Sequence, residues 1–109
     1  MANTFKNKTF GGGNVAANSD MSIYTCPAST TTVVIGLTIA NISSSQITTD
    51  IKLDASTNVH LVKNLPIPAG SAFEYMSGNK IILTAGHSIT AQADTVNSCD
   101  ITMSLMEIT

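Results

Sequence analysis

The stretch TVVIGLTIAN, at positions 32–41, decides the fold. Val33, Ile35, Leu37 and Ile39 alternate with Val34, Gly36, Thr38 and Ala40. Successive side chains of a strand point to opposite faces, so a period of two predicts a half-buried strand, here with the first set turned to a core. Gly36 and Thr38 also break the run far short of the ~20 apolar residues that a membrane helix needs. No other segment is as apolar, and no membrane association is expected.

The same rhythm extends in both directions. Positions 21–26 read as a strand closed by Pro27, which has no N–H for a ladder. After the turn Ser43, Ser44, Ser45, positions 46–54 place Ile47, Thr49, Ile51 and Leu53 inward and Thr48, Asp50 and Lys52 outward. A short strand over 58–63 follows, and Pro66, Pro68 and Gly70 then mark a loop that should interrupt any central strand. Strands over 71–76, 80–84, 87–93 and 100–108 complete the set. Ser77, Gly78 and Asn79 supply a hairpin turn, and Ile101, Met103 and Leu105 share one face of the last strand. No segment carries a helical apolar period. Seven or eight short strands with turns every ~8–12 residues predict an all-β fold. A small antiparallel β-sandwich or a Greek-key, jelly-roll-like barrel meets that description.

Two parts of the chain differ. Positions 1–20 are rich in Asn and Gly, with Gly11, Gly12 and Gly13 as a hinge, and read as an extended N-terminal arm with a short strand over 4–9. Phe5 and Phe10 are its large apolar groups and would pin it to its own sandwich or to a neighbour. Positions 21–109 form the sandwich domain.

Composition narrows the function. Of the 109 residues 43% are hydrophobic but only 11% are charged, where soluble domains carry about 25%. An uncharged polar surface suits a protein whose faces meet other protein. There is no Arg, the net charge is -2, and of Lys6, Lys8, Lys52, Lys63 and Lys80 only the first two lie close together, as in a solvated tail. Nucleic-acid recognition needs a clustered basic surface, so no nucleic-acid partner is expected. The opening MANTFKNKTFGGG has no apolar run of signal-peptide length, so a protein made and kept in the cytoplasm, or assembled there into something larger, is expected. There Cys26 and Cys99 should stay as buried free thiols and not form a bridge.

Catalytic chemistry finds no foothold. His60 and His87 stand alone, without CxxC, HxH or HExxH spacing, so neither metal nor cofactor is expected. Asp50 and Asp54 are four residues apart, roughly 13 Å along a strand, too far for paired carboxylate catalysis. Glu74, Asp94, Asp100 and Glu107 are scattered along the chain, mostly at positions expected to face solvent. There is no GxSxG elbow, and Trp is absent, which removes the stacking platforms that sugars or single strands use. No enzyme is expected. By contrast Val34, Val62, Ile82 and Met106 fall opposite the core set of their strands, and such exposed apolar groups mark an interface. With Phe5 and Phe10 they are the candidate interface residues.

The strings Ile23-Tyr24-Thr25-Cys26-Pro27-Ala28, Val33 to Asn41 and Leu61-Val62-Lys63-Asn64 with Pro66 to Ser71 carry a resemblance. So do Lys80-Ile81-Ile82-Leu83, Ala85-Gly86-His87-Ser88-Ile89 and the ending Ser104-Leu105-Met106-Glu107-Ile108-Thr109. Together with the opening, nearly the whole chain resembles small β-sandwich virion structural proteins of tailed bacteriophages. Where similar proteins have Val before Pro-Ala-Gly, this chain has Cys26 before Pro27-Ala28-Ser29. The resemblance implies a virion protein, either capsid decoration (cement) or a neck, tail or fibre fitting. The expected function is a cement protein, trimeric, on the outer capsid surface. It would bridge capsomers of the major capsid protein and stabilise the assembled head. The alternatives are a neck, tail or fibre-attachment protein and, behind these, a host-receptor or glycan-binding module.

Overall fold

The alternating pattern is realised as nine strands, and the computed structural model describes residues 2–11, 16–75 and 80–109. In chain order they are β1 (Asn3–Phe10), β2 (Met21–Thr25), β3 (Thr31–Asn41), β4 (Ile47–Asp54), β5 (Val59–Ile67), β6 (Ala72–Glu74), β7 (Ile81–Leu83), β8 (Ser88–Ala93) and β9 (Cys99–Ile108). Among the described residues every pairing between these strands is antiparallel. One sheet runs β1-β9-β3-β6, with β7 sharing the β6 side of β3, and the other runs β2-β8-β4-β5. The two sheets close face to face as a β-sandwich, the architecture expected of a chain whose strands each have one apolar face.

The core lies between the sheets. Leu37, Ile39, Ile101, Met103 and Leu105 meet Ile47, Ile51, Ile67 and Ile89 there, all at 2% exposure or less. Each such side chain contributes roughly 1.5–3 kcal/mol by leaving water. Asn41 ties the end of β3 across the sandwich. Its Nδ2 donates to the carbonyls of Ser45 (2.9 Å) and Ile67 (2.8 Å), while its Oδ1 accepts from the Ser43 N–H (2.9 Å) and hydroxyl (2.7 Å). A buried amide with both ends satisfied costs little, and it fixes the serine turn that the sequence marks.

The register of β3 differs from the strict alternation expected. The pairing with β9 slips between Val34 and Gly36, so one extra residue is accommodated as a bulge. Beyond it Leu37 and Ile39 face the core as expected. Before it the faces exchange: Val34 is fully buried, whereas Ile35 is 38% exposed and Val33 half-buried. Val34 is therefore core and not interface. The carboxylate expected to be solvated at Glu107 is also buried, at 8% exposure.

Two other expectations need correction. β5 runs on through Pro66 to Ile67, because β5 is an edge strand and the missing N–H faces no partner. Val62 pairs opposite Ile51 and packs against the core with Leu61 and Leu65 instead of standing on the opposite face. Residues 3–10 of the arm form β1, a full-length edge strand laid along β9 of the same chain. It is clasped at its start by Ala2 N–H to Thr109 O (3.1 Å) and Thr109 N–H to Ala2 O (2.9 Å). Farther along, Asn18 N–H donates to Ala93 O (2.7 Å), so this part of the arm is also tied to the sandwich. Gly12 and Gly13 of the hinge and the turn at Ser77, Gly78 and Asn79 lie outside the described residues.

Cys26 and Cys99 are both buried and free. Cys26 lies beside Thr32 (Sγ to Oγ1 3.3 Å) and Cys99 pairs with Asn41, at the other end of β3. Nine residues of strand separate those ends, about 30 Å at ~3.3 Å per residue, which rules out a bridge within one chain.

The bulge gives a direct prediction. Leu37→Ala should cost about 3 kcal/mol, as burial followed by a cavity requires, and Ile35→Ala less than about 1 kcal/mol. Equal losses in chemical denaturation would put the bulge elsewhere. A second prediction follows from Ser29, which holds φ 58° in the turn before β3. That left-handed conformation strains any residue with a Cβ, so Ser29→Gly should stabilise the chain by roughly 0.5–1 kcal/mol, and a loss of stability would contradict it.

Candidate functional site

Pairing of β9 with β1 on one side and β3 on the other decides which side chains share the solvent face of the larger sheet. Phe5 sits opposite Met106, Met106 opposite Val33, and Val33 opposite Ile82. These four side chains form one apolar row across the whole width of the sheet. Phe5 is 73% and Ile82 55% exposed. Ile35, thrown outward by the bulge, and Ile108, one step along β9, border the row. The rest of that face is small and polar: Thr9, Thr102 and Thr38 form a second cross-strand row, with Asn7, Ser104 and Gly36 between the two. Of its charged groups, Glu74, which accepts from Thr38 Oγ1 (3.4 Å), and Asp100 lie near the end opposite the apolar row, while exposed Lys80 immediately precedes β7.

Of the six candidate interface residues, the fold brings Phe5, Ile82 and Met106 together on this row. Phe10 turns inward and packs against the core with Val62, and Val34 is in it. Val33, Ile35 and Ile108 were missed. Their membership depends on one bulge and on which strands neighbour β9, neither of which leaves a periodic signal in the sequence.

A second feature lies between the two sheets, where edge strand β1 faces edge strand β2. Lys6, Asn7, Lys8, Tyr24, Thr25, Pro27, Leu105 and Glu107 line a cleft of about 410 Å³. At its floor Glu107 is clamped: its Oε1 lies 2.8 Å from Lys6 Nζ, and its Oε2 accepts from the Tyr24 hydroxyl at 2.5 Å. Thr32 Oγ1 lies 2.8 Å from the same hydroxyl and completes the chain of bonds. The Lys6 ammonium first, then the Tyr24 hydroxyl, hold the Glu107 carboxyl below the usual carboxylate range. Burial, then Glu107, push the Tyr24 hydroxyl up to about 12. Lys6 and Lys8 thus do not lie in a solvated tail. They alternate on the inward face of β1, opposite Leu105 and Met103.

The remaining titratable groups are dispersed. Asp50 accepts from the Asn64 N–H (2.7 Å) and lies 3.6 Å from Lys63, whereas Asp54 accepts from Thr90 (3.1 Å). Asp94 accepts from the Thr48 N–H at 3.1 Å. His87 contacts Thr84 in its own turn, and His60 is exposed on β5. Among the described residues no three His, Cys, Asp or Glu side chains converge as a metal would require. Burial pushes the Cys99 thiol up, away from the thiolate form.

The clamp predicts a pH dependence. Glu107 has a depressed folded value, so its contribution to stability is complete above the unfolded value of ~4.3 and is lost as pH falls through the lower folded one. Glu107→Gln should therefore flatten the fall of the urea midpoint below about pH 4, and a curve parallel to the parent's would contradict the assignment. Tyr24→Phe should cost about 1–2 kcal/mol at neutral pH by removing one donor from a buried carboxylate.

No protein-family model matches the chain, and no curated protein matches it in sequence.

Proposed function

We propose that the chain is a virion structural protein: a capsid cement protein that binds the assembled phage head across capsomers. The observation that carries this reading is the apolar row Phe5–Met106–Val33–Ile82 on a sheet face that is otherwise small and polar, with Glu74 and Asp100 at its far end. A freely diffusing monomer gains nothing from presenting such a row to water, while a protein that docks on a shell does. The face is four strands wide and about ten residues long. At ~4.8 Å per strand and ~3.3 Å per residue that is a footprint of roughly 600 Å² before side-chain relief. A standard interface takes about 800 Å² from each partner, so the whole face is of the right size.

The sheet edges favour docking by the face. β1 carries inward lysines, β5 carries Pro66 beside irregular pairing with β4, and β6 and β7 are three residues each. Each device discourages strand-to-strand addition. Stabilisation then works by mass action: a subunit that binds only the assembled lattice lowers the free energy of that state relative to its parts. Self-association into a trimer at the shell multiplies the contacts each copy makes.

The copy number in purified particles tests the reading, measured by quantitative mass spectrometry against the major capsid protein. One copy per capsid subunit, or a fixed large fraction of it, is expected. A dozen copies would move the protein to the neck or tail, and absence from the particle would overturn the virion reading.

A further inference from the structure

Apart from Asn7, the cleft between β1 and β2 shares no residue with the docking face. Its walls are unlike the rest of the surface. In a chain of net charge -2 with five basic residues, two of the five line this one cleft. One of the two is spent: Lys6 neutralises the buried Glu107 at 2.8 Å. Lys8 is exposed and, among the described residues, has no carboxylate within ion-pair distance, although its charge helps to lower Glu107. Two lysines against one glutamate leave one positive charge at the mouth. Lys6 cannot turn away to share in binding without stranding a buried carboxylate, so Lys8 is the group that is available.

The opposite wall is the edge of a sheet. β2 ends its sheet, paired only with β8. Both Tyr24, which points inward, and Thr25, which points outward, line the cleft, so the β2 backbone edge borders it. An edge strand offers alternate N–H and C=O groups to an added strand. Beneath the floor, beside the Glu107 clamp, lies the buried side chain of Leu105. The volume, about 410 Å³, lies within the ~300–1,000 Å³ of ligand clefts.

We infer that this cleft binds an extended peptide segment of a partner chain, laid along β2, with an acidic side chain paired to Lys8. The backbone edge supplies affinity without sequence preference, and the single uncompensated ammonium supplies the choice of an acid. The clamp Lys6–Glu107–Tyr24 keeps the floor neutral and rigid, so that the Lys8 charge is not cancelled by Glu107. The inference stands apart from the virion reading, since any partner with an exposed acidic strand meets it.

The test is an amide chemical-shift titration of the full chain with the capped hexapeptide Thr-Glu-Val-Glu-Val-Thr, its Gln-for-Glu counterpart, and free glutarate. The acidic peptide should produce saturable shifts at Ser22, Thr25 and Lys8. Binding should weaken roughly tenfold or more with the Gln peptide and in Lys8→Gln, as loss of a charge-assisted bond requires, and recover in Lys8→Arg. The unliganded spectrum of Lys8→Gln, a change at an exposed edge position, shows that the fold is retained. No saturable shift, or binding indifferent to Lys8→Gln, would overturn the inference. Glutarate binding as tightly as the peptide would overturn it too, because the site would then take a free carboxylate and not a strand. Faster aggregation of Lys8→Gln with no peptide binding would mean that Lys8 only guards the edge of β1.

Discussion

The antiparallel pairing of β3 with β9 is the constraint on which the rest of the structure depends. It brings Leu37, Ile39, Ile101, Met103 and Leu105 onto one face, and so defines the core. It also sets Val33 beside Met106 on the other face, and so defines the apolar row. Because side chains alternate with a period of two, these outcomes are linked: moving the register by one residue would empty the core and bury the row. The bulge at Ile35 is the one place where the two faces exchange. It lets an apolar run too continuous for a half-solvated strand serve both the core, through Val34, and the surface, through Val33 and Ile35.

Most of the architecture was legible because it follows from this period. The strand readings at 46–54 and 100–108 hold for the residues read as inward there: Ile47, Thr49 and Ile51 are buried, as are Ile101, Met103 and Leu105. What failed was context. Alternation counted across Val34 cannot register an inserted residue, so Val33 and Ile35 were assigned to the core and Val34 to the surface. Pro66 argues against a central strand, yet the sequence does not say that β5 is an edge. Where the arm packs could not be read, because β1 is held mainly by its backbone ladder and the Lys6–Glu107 pair, neither of which shows as hydrophobic periodicity.

The scarcity of charge takes on meaning once it is placed. Lys52, Asp20 and Gln92 form a cluster on the smaller sheet, with Lys52 Nζ 2.9 Å from Asp20 and Gln92 Nε2 donating to Asp20 at 2.7 Å. Asp50 with Lys63, and Asp54 with Thr90, add to it. The lysines of β1 turn into the cleft. What remains, on the outer face of the larger sheet, is mainly threonine, serine, asparagine and the apolar row, with Glu74 and Asp100 at one end and Lys80 before β7. Charges are thus concentrated on the smaller sheet and in the cleft, and one broad face carries few of them, mostly away from the apolar row. Desolvating that face costs little, which is the physical condition for docking a rigid sandwich on another protein surface.

The central claim is that this face is covered when the protein is in its assembled state. Hydroxyl-radical footprinting, read by mass spectrometry on the free chain and on purified particles, tests it at the side chains themselves. The account predicts that oxidation of Met106, Phe5 and Ile82 falls together in the particle, while Val59 and Val96, exposed elsewhere, are oxidised as in the free chain. Unchanged oxidation of the row, or protection confined to Val59 and Val96, would contradict it.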